Sequence, residues 1–464
     1  MIHQFRNNGL DIILDVNSAA VHLVDEVTAD IVRLLDDGHT DYAPGDLTDG
    51  QLIKRITDQM ADKAKPEEIR EVLEELDTLV AQGRLFSGDP YESLIPHVMA
   101  NKTVVKALCL NVAHDCNLAC KYCFAEEGEY HGRRGIMSAE VGKKALDFLV
   151  RASGGRRNLE VDFFGGEPLL AFDSIREIVA YGRELEKRHD KVFRFTMTTN
   201  GVLLRPEVEE FCDREISNVV LSLDGRKEIN DAMRPFRDGT GSYDYIVPKL
   251  VSMAKSRGDK QYYIRGTFTH ENLDFVEDIL HFYDLGFRSM SIEPVVTDDP
   301  RYAITEEDVP GIKSQYDRLV REMKSKKEKG DPFTFFHFMI DLEGGPCVYK
   351  RMSGCGAGTE YLAVTPWGEL YPCHQFVGQE EFLMGDVDRG ITHPEVGEQF
   401  RSVNLYTKPS CRECFARFYC GGGCAANAYN STGKLDGDYE IGCELEKKRV
   451  ECAIALKAFG SEES

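Results

Sequence analysis

The sequence predicts an α/β protein built on a parallel sheet, with a small mixed module before the sheet and a cysteine-rich region after it. Three observations carry that expectation. Six apolar stretches alternate with amphipathic helical stretches through the middle of the chain, residues 88–96 have the turn-rich character of a linker, and from residue 344 the composition shifts to glycine and cysteine.

Residues 12–24 read as a strand, a turn at Asn17 and Ser18, and a second strand; Val27, Ile31 and Leu34 then recur at helical spacing. Pro66 stands at a helix start, with Ile69, Val72, Leu73 and Leu76 on one face behind it. These elements form a module over residues 1–95. Strands are then expected at 103–112, 159–164, 193–199, 218–223, 262–269 and 288–293. Strands joined by long helical crossovers run parallel, so the loops leaving their carboxyl ends become the candidate site. This sheet domain spans 96–310. A charged surface helix at 313–329 lies in a connection of 311–345, and 346–464 forms the last domain.

At 464 residues and 42% hydrophobic, the chain can bury roughly three domains of ~150 residues each. Its formal net charge of -23 argues against nucleic acid or an anionic membrane, both of which demand clustered Lys and Arg, and favours a cationic peptide partner. No signal peptide opens the chain, and no apolar run approaches the ~18 residues of a membrane span, which reads as a soluble cytoplasmic protein. In a reducing compartment, fourteen cysteines are expected to be metal ligands rather than disulfides.

The densest chemical signal follows the first strand of the sheet: Cys116-Asn-Leu-Ala-Cys120-Lys-Tyr-Cys123. Three thiolates can hold a 4Fe-4S cluster and leave its fourth iron open to a ligand, whereas zinc also favours close cysteine pairs and is the alternative by spacing alone. Three further features accompany it, two directly after strands and the third an arginine, either Arg234 shortly downstream or Arg265 on the fifth strand. Gly165-Gly166-Glu167-Pro168 offers close backbone approach and a carboxylate for an ammonium group. Ser222-Leu223-Asp224-Gly225 offers a hydroxyl for a ribose. Arg234 or Arg265 could take a carboxylate bidentately.

With its CxxxCxxC loop, the chain resembles the radical S-adenosylmethionine (SAM) superfamily over roughly residues 104–300. The resemblance implies a partial (β/α)6 barrel, SAM on the open iron, and reductive cleavage to methionine and a 5′-deoxyadenosyl radical. By the same likeness Cys116, Cys120 and Cys123 hold the cluster. Gly165, Gly166 and Glu167 meet the methionine amino group, Ser222 the ribose and Tyr122 the adenine, with Arg234 or Arg265 on the carboxylate.

A second array lies near the end. Cys355 is followed after twelve residues by Gly368 and after four more by Cys373; then come Cys411-x2-Cys414-x5-Cys420-x3-Cys424 and finally Cys443. Seven thiolates can hold two metal centres, with tetrahedral zinc again the alternative. The spacing resembles the SPASM extension of radical SAM peptide-modifying enzymes. That likeness implies two auxiliary 4Fe-4S clusters, three clusters in all. Cys411, Cys414, Cys420 and Cys443 would hold one; Cys355, Cys373 and Cys424 would hold the other, completed either by Cys347 or by a substrate thiolate.

Cys109, Cys212 and Cys452 lie in apolar or helical stretches and read as buried small hydrophobes. His114 reads as a loop hydrogen bonder, and Glu293, at the end of the sixth strand, as either an active-site acid or base or an arginine partner.

Placed before such a barrel, the N-terminal module resembles the winged-helix-like recognition element of ribosomal-peptide tailoring enzymes, which accepts a leader peptide on a strand edge, here 11–15 or 20–24. Over nearly the whole chain the arrangement resembles the maturases of six-cysteine (SCIFF) peptides. That likeness implies Cys-to-carbon thioether crosslinks in a cysteine-rich precursor peptide, with a low-potential electron donor. Two alternatives are an anaerobic sulfatase-maturing type that forms formylglycine, and a non-enzymatic iron-sulfur electron carrier.

Overall fold

The computed structural model describes residues 1–36, 42–100, 103–130, 132–342, 352 and 354–461. Cys347 lies outside the described residues.

The N-terminal module holds three antiparallel strands in spatial order: β1 (Ile2–Asn7), β2 (Leu10–Asp15) and β3 (Ala20–Val24). The sequence reading found only the last two, because the mixed run of β1 lacks a clean apolar alternation. The extra strand changes the edges. β2 is paired on both sides, so residues 11–15 offer no edge, whereas β3 is paired only with β2 among the described residues. Helices Glu26–Leu35, Gly50–Gln59 and Pro66–Ala81 follow, the first two started by the Asp25 and Asp49 side chains accepting from backbone amides of the first turn.

β2 is apolar on both faces. Ile13 packs with Ile31, Val32 and Leu73 in the module's own core, while Ile12, Leu14 and Val16 enter a second core with Tyr406, Phe418 and Ile454 from the C-terminal region. At about 1.5–3 kcal/mol for each fully buried aliphatic side chain, those three residues fasten the module to the body. The expected linker is fastened as well. Asp89 accepts from the Tyr406 hydroxyl at 3.0 Å and from Arg417 at 3.0 Å, and Arg417 also donates to Asn17 at 2.6 Å.

The six expected sheet strands all form: β4 (Ala107–His114), β6 (Asn158–Gly165), β7 (Val192–Thr199), β8 (Asn218–Ser222), β9 (Gln261–Phe268) and β10 (Ser289–Pro294). They are parallel and ordered in space as in sequence, and β5 (Gly135–Ile136) adds an antiparallel pairing to β4. The sheet continues beyond both ends. β11 (Thr334–Phe335) joins β10, and β12 (Tyr361–Val364) joins β4 in parallel. β13 (Glu369–Tyr371), β14 (Gly385–Asp386) and β15 (Gly390–Ile391) extend it antiparallel. Among the described residues the path from β11 to β15 stays open. β4, buried along all eight residues, is therefore an inner strand with a C-terminal neighbour rather than an edge.

The expected charged surface helix runs from Val309 to Glu328, but Ile312, Tyr316, Leu319, Val320 and Met323 form a buried stripe against the C-terminal helix Glu440–Ser461. Lys and Arg at intervening positions obscured that stripe in the sequence. Among the described residues no helix is long and apolar enough to cross a membrane.

Candidate functional site

Loops leaving β4, β6, β7 and β8 converge on a cavity of about 150 Å³. Cys116, Cys120 and Cys123 line it together with Tyr122, Gly165, Gly166, Glu167, Ser222 and Arg234. Arg265 is not among its lining residues. It lies on β9 beside Glu293, 3.5 Å away.

The two glycines, which line the cavity, also permit a close backbone contact. A Cβ on Gly165 would lie 2.4 Å from the Ala113 carbonyl oxygen, and one on Gly166 would lie 2.1 Å from that of Asp115. These glycines let the turn after β6 press against the backbone that opens the cysteine loop, and the Gly166 and Glu167 amides bond to those same carbonyls at 2.8 and 2.9 Å.

Glu167 is fully buried yet well satisfied. It accepts from the Leu169 amide at 3.0 Å, the Thr199 hydroxyl at 2.8 Å and the Asn200 amide at 2.8 Å. Burial pushes its pKa up, and these donors oppose the shift. Asn200 in turn donates to Asn117 at 2.8 Å and approaches the Cys116 sulfur at 3.7 Å. Sequence reasoning missed the Thr198-Thr199-Asn200-Gly201 turn, although its place at the carboxyl end of the third strand marked it as a candidate.

Opposite Glu167, the Tyr122 hydroxyl donates to Asp224 at 2.7 Å and accepts from Arg234 at 2.8 Å. Arg234 therefore has partners within the protein, 3.8 Å from Asp224, while its Nε has none. Burial raises the Asp224 pKa and Arg234 counters it. Burial likewise pushes the thiols of Cys116 and Cys120 up to about 12 and about 11. A metal centre drawing on them must displace their protons.

His114 ends β4, directly before the cysteine loop, and burial lowers its pKa to about 4, opposed by a hydrogen bond with the Arg133 backbone. It stacks on Tyr130 at 4.6 Å and meets Trp367 edge-on at 5.2 Å.

β12, paired to β4, carries the C-terminal array toward this site. His374, next to Cys373, packs 5.6 Å from the ring of Phe124, next to Cys123. Several of the seven thiols lie close enough to feel one another. Cys373, pushed up to about 12 by burial first, also feels Cys424 and Cys355. Cys443, raised to about 11 by burial first, feels Cys411 and Cys414, and Cys420, at about 12, feels Cys443 and Cys411. Cys355 and Cys424 are exposed, whereas Cys373 is buried. Among the described residues, no group of three or more His, Cys, Asp or Glu side chains is placed to hold a single metal ion.

Glu293 faces this region, lining with Cys420, Cys424, Cys443 and Arg449 a cavity of about 280 Å³. Burial alone would raise its pKa, but His337, Arg265 and Arg449 outweigh burial and hold the carboxyl well below its usual range. It lies 3.5 Å from Arg265 and 3.1 Å from His337. Cys109, Cys212 and Cys452 are buried.

A thiol trio on the loop after the first strand of an open parallel sheet, backed by a buried carboxylate and a free cavity, defines a class. The chain belongs to the radical SAM superfamily: residues 110–283 match the model of that superfamily. The chain is 30% identical over 344 residues to the mycofactocin maturase MftC of Mycobacterium tuberculosis, covering 71% of this chain and 81% of that protein, and 28% identical over 365 residues to MftC of Mycolicibacterium smegmatis, covering 74% and 86%. Its fold is similar to native anSMEcpe with bound AdoMet, with a TM-score of 0.65 and 19% identity over 78% of this chain and all of that one. It is also similar to Streptococcus suis SuiB bound to S-adenosylmethionine, with a TM-score of 0.53 and 16% identity over 95% of this chain and 98% of that one.

SAM and a 4Fe-4S cluster are expected in this superfamily, and the residues present fit them. Three soft thiol donors border one cavity, and the Nε of Arg234, which also lines it, is a buried polar atom without a partner.

Proposed function

We propose that this chain is a radical SAM peptide maturase that installs Cys-to-carbon thioether crosslinks in a ribosomally made, cysteine-rich precursor peptide. The reading is supported by the proximity of Cys373 to Cys424 and Cys355, of Cys443 to Cys411 and Cys414, and of Cys420 to both Cys443 and Cys411. A group of four (Cys411, Cys414, Cys420 and Cys443) and a group of three (Cys355, Cys373 and Cys424) would follow from it. Held by these two groups, two auxiliary 4Fe-4S clusters would differ in kind, the second being one protein thiolate short and open to a peptide cysteine. The names of several relatives support peptide modification: the two MftC proteins are mycofactocin maturases, and SuiB has also been solved with its precursor peptide SuiA.

Cys116, Cys120 and Cys123 would hold the SAM-binding cluster, which with SAM supplies a deoxyadenosyl radical able to abstract hydrogen. Glu167, with Gly165 and Gly166 shaping its turn, would orient the methionine amino group. Ser222 would take the ribose, Tyr122 would border the adenine, and Arg234, held from behind by Tyr122, would offer its unpartnered Nε. The leader of the peptide would dock on the N-terminal module, and a low-potential donor in a reducing cytoplasm would supply electrons.

The test is anaerobic incubation of iron-loaded protein with dithionite, SAM and a cysteine-rich peptide. Release of 5′-deoxyadenosine, loss of two hydrogens per crosslink and resistance of the peptide cysteines to alkylation are expected. A hydrazide-reactive aldehyde on the peptide would instead indicate formylglycine formation, and absence of deoxyadenosine would leave only an electron carrier. Cys347→Ala is expected to keep crosslinking activity; its loss together with auxiliary iron would make Cys347 the missing ligand.

A further inference from the structure

Of the two arginines near the first site, one is held by the protein and the other is not. Arg234 is buried, with Tyr122 and Asp224 beside it. Arg265 has 52% of its side chain exposed, and its contact is Glu293, 3.5 Å away. Among the described residues its guanidinium makes no hydrogen bond. Its place follows from register. Ser222 on β8, Arg265 on β9 and Ser291 on β10 are partners across parallel strands, so the three side chains leave one face of the sheet, about 4.8 Å apart from strand to strand. Ser222 lines the first cavity, and the row runs sideways out of it. At its far end Ser291 lies 3.3 Å from His337, and Glu293, two residues along the same strand, lies 3.1 Å from that ring. Glu293 and Cys424 line one cavity, and the charge of Arg265 reaches His374, the neighbour of Cys373. Arg265 therefore stands between the cavity of the first thiol trio and the later thiols Cys373 and Cys424.

A guanidinium carries five N–H donors in a fixed plane, and one left open between two reacting sites is available to whatever spans them. We propose that Arg265 is a substrate-positioning residue whose guanidinium donates to a backbone carbonyl of the precursor peptide where the peptide spans the two thiol sites. The inference rests on the reading of the chain as a peptide maturase, which needs one peptide to reach both sites at once. Charge selects a carbonyl over a carboxylate. Glu293 already balances the cation, and a second carboxylate beside it would be repelled. Glu293 meets the fork at Nη2, which leaves Nη1 and Nε for the peptide. Since every residue has a carbonyl, the contact fixes where the peptide backbone lies without selecting its sequence.

The test compares the iron-loaded full chain with its Arg265→Met and Arg265→Lys variants, each given dithionite, SAM and the cysteine-rich peptide. The quantity read is crosslinks formed per 5′-deoxyadenosine released. Arg265→Met is expected to give about tenfold fewer, as when one charge-assisted hydrogen bond is lost from the reacting segment. The loss is expected in kcat for crosslinking rather than in KM, because the leader, bound elsewhere, holds the peptide. Arg265→Lys keeps the cation without the planar fork and is expected to recover part of the loss. A peptide with every Asp and Glu changed to Asn or Gln is expected to crosslink on the wild type as before. A folding defect lowers both products together, so the ratio reports placement alone. An unchanged ratio in Arg265→Met, or about a tenfold loss on removing the peptide carboxylates, would overturn the proposal. A matching loss of SAM affinity would also overturn it, by making Arg265 a partner of SAM. Crosslinking indifferent to Arg265 sinks this inference and keeps the maturase reading. If the wild type alters the peptide without crosslinking it, the thioether reading falls, and altered peptide per deoxyadenosine still tests Arg265. A wild type that leaves the peptide unaltered sinks both.

Discussion

Arg234 reaches the hydroxyl of Tyr122 at 2.8 Å, and that hydroxyl passes its own hydrogen to Asp224. The chain of contacts ties the residue just before Cys123 to the carboxyl end of β8 through the buried Asp224 and Arg234. Asp224→Asn leaves the buried Arg234 cation without its nearest carboxylate and is expected to destabilise the fold by about 3–5 kcal/mol. Tyr122→Phe should cost less, about 1–3 kcal/mol, because it removes a hydroxyl but no charge. Thermal unfolding checks both, and equal losses would show that the hydroxyl rather than the carboxylate anchors Arg234.

Gly166→Ala would drive a methyl group against the Asp115 carbonyl oxygen and the Cys116 Cβ. Backbone has to move to relieve it, at about 1–3 kcal/mol, and the cysteine loop moves with it. The expected outcome is a folded protein that loads less iron at the first site and binds SAM weakly. Wild-type iron content and SAM affinity would mean that the loop yields without disturbing its thiols.

Asp162, on β6, has its pKa raised from 3.8 to about 6, mainly by burial, with a hydrogen bond from Thr196 opposing the shift. A carboxyl that holds its proton more tightly when folded contributes stability below about 4, and that contribution is lost as pH rises through about 6. Asp162→Asn is therefore expected to be more stable than wild type at pH near 7, by up to about 2 kcal/mol, with the gain vanishing near pH 4. Melting temperatures across that range decide the matter; a difference independent of pH would refute it.

Cys373→Ala and Cys420→Ala are each expected to remove about four irons, one cluster from each auxiliary group, and leave the first site loaded. Iron and sulfide assays with SAM binding as a control test this. Loss of all auxiliary iron from either variant would show that the seven thiols act as one unit.

Arg417 is buried and shared between Asn17 and Asp89. Arg417→Met is expected to cost about 1–3 kcal/mol by leaving Asp89 only the Tyr406 hydroxyl, and to expose the 88–96 segment to protease. Unchanged proteolysis would mean that the apolar contacts of Ile12, Leu14 and Val16 suffice to hold the module.

Much of the framework was legible because its signals are local. All six parallel strands were visible as short apolar runs, and helix starts such as Pro66 were visible as residue types at fixed places. β1, β11 and β12 were not. β1 mixes polar and apolar residues, β11 is two residues long, and β12 pairs with a strand more than two hundred residues earlier through backbone bonds that carry no side-chain signature. Missing β1 misassigned an edge to 11–15, and missing β12 hid how close Cys373 lies to the first cysteine loop.

Within the site, the sequence by itself determined the chemistry on offer: three thiols in eight residues, seven more in a spaced array, and a carboxylate after two glycines. Spacing along a loop is covalent, and it survives without knowledge of the fold. Only the tertiary structure decided which groups meet. It pressed Gly165 and Gly166 against protein backbone, gave Arg234 to Tyr122, set Arg265 beside Glu293, and brought Cys373 near Cys424 and Cys355 and Cys443 near Cys411 and Cys414. Those outcomes depend on crossings between distant segments, where burial raises the energetic stake of every polar pairing and so selects the partner.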